Sequence, residues 1–242
     1  NLRLVIDPVT PGHPARLYRI TGGTSRLLAD VPGEQVTAVL VTPGDEVYVA
    51  SLSPGVLFRL DDEELEEVAR LGEGGIWDLA WFSDTVVVAA GSPAALYRLG
   101  PRGMERWVEI PDAHARSLAA TKDVLVVGTS GKGLILAVRP SGQIALLADS
   151  PFTEIPDLVA VPDGSIWAVA LVGEPVETAK PAKDGEDASA GEQRSESPTA
   201  DLDLPKIDGS TATSELLRLT PEGALLQVHR ITKQVASAIA WD

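Results

Sequence analysis

The stretch Ile155-Pro156-Asp157-Leu158-Val159-Ala160-Val161-Pro162-Asp163-Gly164-Ser165-Ile166-Trp167-Ala168-Val169 contains the unit from which this chain is built. An apolar segment is followed by a Val-Pro-Asp-Gly turn and then by a second apolar segment. Pro, Asp and Gly supply the backbone conformations that tight hairpins need, and β-branched residues favour strands. The stretch therefore predicts two antiparallel strands joined by a short hairpin.

The first segment of this unit recurs about every forty residues. Copies begin at Val36, Ile76, Ala115 and Ile155, and a fifth begins at Val235, two periods after the fourth. Each of the first four copies, which we name segments A, is followed by strand-like segments B, C and D. Four short strands per forty residues, separated by turn residues, are typical of a propeller blade.

We therefore predict an all-β fold, a β-propeller of about five four-stranded blades, in a single domain over residues 1–242. The alternative, a β-sandwich, gives no reason for a forty-residue period. Residues 61–71 would tolerate a helix, but they align with the D segments and are predicted as a strand.

The two ends of the chain fall inside a unit. Residues 2–6 take the place of a B segment, and residues 235–241 form an A segment. The last A strand could complete the first sheet and close a five-bladed ring, which would remove exposed strand edges. Alternatively, the chain is part of a larger propeller with more blades.

A low-complexity insertion occupies residues 174–213, in the B–C loop of the fourth full blade. It holds ten acidic and four basic residues and no aromatic residue. Such a segment buries too little apolar area to offset its ordering entropy, so we expect it to be disordered.

The charge of the chain limits its partners. It has 20 basic and 35 acidic residues, for a formal net charge of −15, and no basic stripe. This charge excludes nucleic acid as an expected partner and disfavours an anionic membrane surface. No apolar run is long enough to insert into a membrane. The absence of cysteine excludes thiolate chemistry but leaves the localisation unknown, and an extracytoplasmic bacterial location stays open.

Binding residues are expected where the D–A and B–C loops meet, around the mouth of the central channel. The acidic insertion would emerge on this face as well. The candidates for binding at the mouth are Trp77, Asp78, His114, Arg116, Asp157 and Lys233.

Asp78 and Asp157 occupy equivalent repeat positions two blades apart, with His114 on the blade between them. Two carboxylates and an imidazole could bind Ca²⁺ or another divalent cation, or provide acid–base catalysis. Ala38 and Ser117 fill the same repeat position elsewhere, however, so there is no ring of ligands. A structural role in turns is favoured for both carboxylates, and we assign no cofactor, metal or catalytic residue. Trp77 would be partly exposed, packed between sheets or stacked on a flat ligand.

Two other patterns are interpreted as structural. Residues 128–133, Gly-Thr-Ser-Gly-Lys-Gly, have the composition of a phosphate loop but neither its spacing nor the helix that should follow. An arginine also recurs at one register of the C segments, which suggests a structural role at the sheet edge. Its positions are Arg19, Arg59, Arg98 and Arg218.

The segments 161–169 and 213–223 resemble bacterial propeller repeats of the broad NHL, six-bladed-TolB-like and WD40-like grouping. That resemblance implies a fold and not an activity. Gluconolactonase-like members hold calcium with Glu, Asn and Asp, but the only asparagine of this chain is Asn1. Streptogramin lyases of similar fold use a histidine and a metal carboxylate, and here only His114 lies near the predicted mouth.

Three functions follow as hypotheses. The favoured one is a non-catalytic binding or scaffold module whose loop face receives an unidentified protein or small ligand. The first alternative is a divalent-cation-dependent lyase or lactone hydrolase that uses Asp78, Asp157 and His114 at the channel mouth. The second is a sensor domain of a larger receptor.

Overall fold

The computed structural model describes residues 15–32, 35–62, 64–172 and 213–241, together with the backbone of residues 2–7. These residues form nineteen β-strands and no helix. No helix within them is therefore long and apolar enough to cross a membrane.

The strands follow one another as successive antiparallel sheets. The first sheet contains β1 (Leu2–Asp7), β2 (Ala15–Thr21) and β3 (Thr24–Val31). The second contains β4 (Val36–Val41), β5 (Val47–Ser51), β6 (Val56–Asp61) and β7 (Glu64–Arg70). The third contains β8 (Gly75–Phe82), β9 (Thr85–Gly91), β10 (Ala95–Gly100) and β11 (Gly103–Glu109).

The fourth and fifth sheets repeat the pattern. They contain β12 (His114–Ala120), β13 (Leu125–Ser130), β14 (Leu134–Val138) and β15 (Ile144–Asp149), then β16 (Glu154–Ala160), β17 (Ile166–Val172), β18 (Thr213–Leu219) and β19 (Leu225–Thr232). Each strand pairs antiparallel with the next in its sheet, which confirms the predicted order A-B-C-D. The stretch that tolerated a helix is strand β7.

The hydrophobic core is divided into four layers, each between two successive sheets. Strand β5 shows why its sequence is apolar on both faces: Tyr48 and Ala50 pack toward the third sheet, whereas Val47 and Val49 pack toward the first. Sheets covered on both faces lose the alternation of apolar and polar residues. This stacking of blades, with the A strands side by side, confirms the predicted β-propeller.

The A strands of successive sheets lie against one another at the centre of the propeller, which we call the hub. Bridges between His114 and Gly91 and between Ser130 and Glu154 join the third, fourth and fifth sheets into one hydrogen-bonded system. Each bridge joins the start of an A strand to the end of the B strand in the preceding blade.

The predicted closing strand at residues 235–241 does not form. Strand β1 pairs with β2, and the first sheet has three strands. The C-terminal segment is bonded to the fifth sheet instead: the Ala236 N–H donates to the Ser214 hydroxyl at 2.8 Å and the Ile239 N–H to Asp157 Oδ2 at 2.7 Å. These contacts place it beside β16 without a backbone ladder, so strand exchange with the first sheet is not confirmed.

The predicted insertion lies outside the described residues except for Thr213, which begins β18. The flanking strands β17 and β18 pair through Val172 and Thr213. The two ends of the insertion are therefore adjacent, in the B–C connection where the sequence places it.

Candidate functional site

The B–C and D–A loops lie on one face of the propeller. The Leu71 N–H of a D–A loop donates to the Gly55 carbonyl of a B–C loop at 2.9 Å. The Ile110 N–H donates in the same way to the Ala94 carbonyl at 3.1 Å. These bonds hold both kinds of loop together around the start of the A strands, where the site residues were predicted.

The A strands of the second to fifth sheets break their pairing register near the start of the strand. In β8, Ile76 and Asp78 face the consecutive residues Ala90 and Ala89, so Trp77 is the extra residue of a β-bulge. Arg116 is the extra residue in β12. A bulge bends the strand and changes the direction of a side chain. Repetition of this bulge gives Trp77 and Arg116 equivalent positions on neighbouring blades.

Trp77, Arg116 and Glu154 form a stack across three blades. The Arg116 guanidinium lies over the Trp77 ring, with Cζ 4.7 Å from the ring centre. Its Nε donates to Glu154 Oε1 at 2.8 Å, and the two side chains are 26% and 11% exposed. An arginine held against an aromatic face and a buried carboxylate is fixed in orientation. Sequence analysis missed Glu154; its signal was an acidic residue 38 positions after Arg116, at the start of the next A strand.

His114 completes this group, which we call the hub cluster (Trp77, His114, Arg116 and Glu154). Its ring meets Trp77 edge-on, with 5.3 Å between ring centres. Burial lowers the pKa of His114, although the charges of Asp112 and Glu154 oppose that shift, so the imidazole is neutral at pH 7.

Two polar atoms of the hub cluster are buried without a hydrogen bond in the part of the chain that the structure describes: His114 Nδ1 and Trp77 Nε1. Trp77 is only 5% exposed, so it is not the partly exposed platform that the sequence suggested. Its ring is covered by Arg116 and His114. Buried polar atoms without partners are uncommon and mark strained or functional places.

The carboxylates of Asp78 and Asp157 connect neighbouring A segments. Asp78 accepts the N–H of Leu79 at Oδ1 and the N–H of Leu118 at Oδ2, both at 2.7 Å. Asp157 accepts the N–H of Leu158 at 2.9 Å and that of Ile239 at 2.7 Å. Each carboxylate therefore bonds its own strand and the next A segment around the hub.

Burial sets the protonation of both carboxyl groups. It raises the pKa of Asp78 to about 7, against the lowering effect of the two backbone bonds. Burial also raises the pKa of Asp157, for which bonds to Ile239 and Leu158 act in the opposite direction. The cost of removing a carboxylate from water exceeds what the backbone bonds return.

Hydroxyl groups make the same connection on the other two blades. The Ser117 hydroxyl donates to the Ile155 carbonyl at 2.8 Å, and the Thr37 hydroxyl donates to the Ile76 carbonyl at 2.9 Å. From the second sheet onward, every A strand is thus joined to the next A segment by one side chain near its bulge.

Asp112 explains why residues 128–133 look like a phosphate loop. Its carboxylate accepts the Lys132 N–H at 3.0 Å and the Thr129 hydroxyl at 2.5 Å. The Lys132 N–H, which could bind an anion in a phosphate loop, is therefore occupied by a carboxylate of the chain itself. The Lys132 ammonium donates to the Pro111 carbonyl at 3.0 Å, which ties the same two loops together.

The remaining candidates do not join the hub cluster. Lys233 is exposed and has a positive φ of 61° directly after the end of β19. The positive charge of Arg116 acts on both Asp78 and Asp157 and lowers their pKa, against the larger effect of burial. Within residues 15–32, 35–62, 64–172 and 213–241, no group of three or more His, Asp or Glu side chains is arranged to hold a metal ion.

A groove lies on the opposite face, between the fourth and fifth blades. Its volume is about 770 Å³, and it is lined by the A–B turns of both blades, the C–D turn of the fifth and the exposed Trp241. Sequence analysis placed no site there, because it expected binding residues on the face of the D–A and B–C loops.

Comparison with solved structures agrees with this architecture. The chain is a β-propeller. Virginiamycin B lyase from Staphylococcus aureus matches 94% of this chain and 67% of its own, with a TM-score of 0.62 and 14% identity. A gluconolactonase from Xanthomonas campestris matches 99% of this chain and 76% of its own, with a TM-score of 0.62 and 16% identity.

A chain of the nidogen/laminin complex is similar over 70% of both chains, with a TM-score of 0.58 and 11% identity. At these identities the likeness concerns the fold, which enzymes and proteins in complexes share. No protein-family model matches the chain, and no curated protein matches it.

Proposed function

We propose that the protein is a non-catalytic binding module that presents the hub cluster and the surrounding loops to a small ligand or to a segment of a partner protein. The observation that carries this proposal is that Asp78 and Asp157 make structural hydrogen bonds. Each carboxylate bonds two backbone N–H groups and joins adjacent A segments. The residues that a metal-dependent lyase or lactonase would need are thereby engaged in holding the blades together.

The hub cluster has the features of a preorganised binding surface. Arg116 is fixed between Trp77 and Glu154 yet keeps 26% of its side chain exposed. Binding sites gain affinity when their side chains are already held in place, because less conformational entropy is lost on association. Aromatic and arginine side chains also dominate the energetics of known interfaces.

As part of the same proposal, we group the chain with the NHL and six-bladed-TolB-like propellers on the basis of segments 161–169 and 213–223. A binding role is compatible with a sensor domain outside the cytoplasm. The lyase and lactonase alternative stays as the competing hypothesis, since propellers of this shape include virginiamycin B lyase and a gluconolactonase.

The two hypotheses differ in their response to divalent cations. After treatment with EDTA, the protein is titrated with CaCl₂ and MnCl₂, and the midpoint of thermal unfolding is measured for wild type and for the Asp78→Asn and Asp157→Asn variants. Hydrolysis of gluconolactone is followed in parallel by proton release. We expect no cation-dependent stabilisation and no hydrolysis. A rise in the midpoint that is present in wild type and lost in both variants would favour the enzyme instead.

The binding role itself is tested with a library of small aromatic and aliphatic fragments. Their effect is measured on the indole N–H signal of Trp77 in ¹⁵N-correlated NMR spectra, assigned with the Trp77→Phe variant. We expect a subset of fragments to shift this signal, because Trp77 contacts the partly exposed Arg116. A library in which none shifts it contradicts the proposal.

A further inference from the structure

Arg116 has a free binding edge. Its Nε donates to Glu154 Oε1, and its planar group lies on Trp77. Among residues 15–32, 35–62, 64–172 and 213–241, neither of its two terminal nitrogens has a hydrogen-bond partner. A guanidinium held through Nε and one face directs its two terminal N–H groups outward as a rigid fork.

The other arginines of comparable geometry do not offer this arrangement. Arg98 stacks on Trp107 at 3.7 Å, but a terminal nitrogen donates to the Pro140 carbonyl at 2.8 Å. Arg218 likewise directs a terminal nitrogen to Asp163 at 2.8 Å. Arg116 therefore differs from them in keeping both terminal nitrogens available at the loop face.

We propose that the terminal edge of Arg116 is the recognition point for a carboxylate-bearing ligand at the hub. This inference rests on the proposed binding function and names the ligand class. A carboxylate matches the two parallel N–H groups of a guanidinium, and such paired bonds are stronger and more directional than those of an ammonium group.

The surrounding charges favour a group with a single negative charge. The Glu154 carboxylate touches Arg116 from the other side, and Asp112 lies in the loop that precedes His114. A neutral His114 adds no positive charge. A second negative charge on the ligand, as on a phosphate monoester, would be repelled by these carboxylates more than a carboxylate is.

The contacts of Trp77 with Arg116 and His114 allow ligand binding at Arg116 to be detected. Trp77 Nε1 and His114 Nδ1 are buried without partners in the described part of the chain, and both rings contact one another beside Arg116. A change in the position of the guanidinium on binding therefore alters the surroundings of the Trp77 indole, which NMR detects directly.

The experiment compares carboxylates with their neutral amides. Sodium benzoate and benzamide represent free small molecules, and an N-acetylated dipeptide with a free C-terminal carboxylate, or its C-terminal amide, represents a peptide end. Dissociation constants are measured from the Trp77 indole shift. We expect each acid that binds to do so about tenfold more tightly than its amide, the size of effect expected from one charge-assisted interaction. The two arms show which source of carboxylate the site accepts.

Two variants test whether the paired terminal N–H groups of Arg116 bind the carboxylate. Arg116→Lys keeps the charge but loses the paired N–H groups, and we expect about tenfold weaker carboxylate binding. Its thermal unfolding is measured alongside, so that a loss of binding is compared only between folded proteins. Arg98→Lys alters another arginine that stacks on a tryptophan, and carboxylate binding should not change. Equal binding of acids and amides, or undiminished binding by Arg116→Lys, overturns the carboxylate assignment while leaving a mouth site in place. The absence of any Trp77 shift with every probe overturns the proposed function as well.

Discussion

Asp78 of strand β8 bonds the backbone of the neighbouring blade, since its Oδ2 accepts the Leu118 N–H of β12 at 2.7 Å. Its other oxygen accepts the N–H of Leu79 at the same distance. The two bonds fix one A strand against the next where the bulge at Trp77 interrupts the regular ladder. The side chain therefore takes over hydrogen bonds that a bulged strand does not make by itself.

The first prediction concerns the pH dependence of stability at Asp78. Burial raises its pKa to about 7 in the folded protein, whereas the carboxyl of an unfolded chain titrates near pH 4, at about 3.9. The folded state therefore binds this proton more tightly than the unfolded chain does. The resulting gain in unfolding free energy is greatest below about pH 4 and is lost as the pH rises through about 7. The difference in unfolding free energy between wild type and Asp78→Asn should fall over this range, as measured by urea denaturation.

Asp163 provides the control for that measurement. It is exposed, and a bond from the Ser165 backbone N–H, aided by Arg218, lowers its pKa. Its contribution is present above the unfolded pKa and is lost as the pH falls through the lower folded value. The difference in unfolding free energy between wild type and Asp163→Asn should therefore increase with pH, and it should change only below about pH 4. A difference between wild type and Asp78→Asn that stays constant between about pH 4 and 7 contradicts the account.

The second prediction concerns the hydroxyl that replaces a carboxylate at the same junction. Ser117→Ala removes the donor to the Ile155 carbonyl in a buried position. A buried carbonyl that loses its partner costs roughly 1 to 3 kcal/mol of unfolding free energy. Chemical denaturation measures the loss. Ser141→Ala, at an exposed turn, is the control and should change stability by less than about 0.5 kcal/mol; equal effects of the two changes would refute the role of Ser117.

The third prediction concerns the close approach of Gly91 to His114. A Cβ on Gly91 would contact His114 Nδ1 and lie 2.8 Å from His114 Cα. Because the second contact involves backbone, the strands must separate, and we expect Gly91→Ala to lose about 1 to 3 kcal/mol and to shift the Trp77 indole signal. Gly72→Ala, where a Cβ meets nothing within 4 Å, should leave both unchanged. Wild-type stability in Gly91→Ala would show that the two strands lie farther apart.

The fourth prediction concerns the insertion. Val172 and Thr213 form a cross-strand pair, so residues 173–212 can be replaced by Asn-Gly, which closes a two-residue hairpin. We expect the shortened chain to fold with a thermal midpoint within a few degrees of wild type, measured by circular dichroism. Loss of cooperative unfolding would instead mean that the insertion contributes to the fold. A variant of equal length with a scrambled insertion separates composition from length.

The repeat in the sequence was sufficient to predict the blades. The hairpin at Val161–Ser165 and the strand-like D segment that became β7 both lie where the forty-residue period puts them. The reason is physical: each blade must bury both faces against its neighbours, so apolar residues recur with the spacing of the blades.

The details of the hub could not be predicted in the same way. The bulges at Trp77 and Arg116 occur at the same point of each repeat, so they leave the spacing between repeats unchanged and give no signal in one sequence. The contact of Arg116 with Glu154 depends on the stacking of separate blades. The segment at residues 235–241 has the residues of an A strand, but the element it contacts depends on how the blades pack. It bonds the Asp157 side chain of β16 and forms no backbone ladder with β1.

The most direct test of the account is the pH titration of the Leu118 backbone amide in ¹⁵N-correlated NMR spectra. If the Asp78 carboxylate joins the two blades, the amide proton shift of Leu118 follows the ionisation of Asp78, with a midpoint near the pKa of about 7, and the titration disappears in Asp78→Asn. A Leu118 amide that does not titrate, or that titrates identically in Asp78→Asn, would show that Asp78 does not make this bond and would return it to the set of candidate catalytic residues.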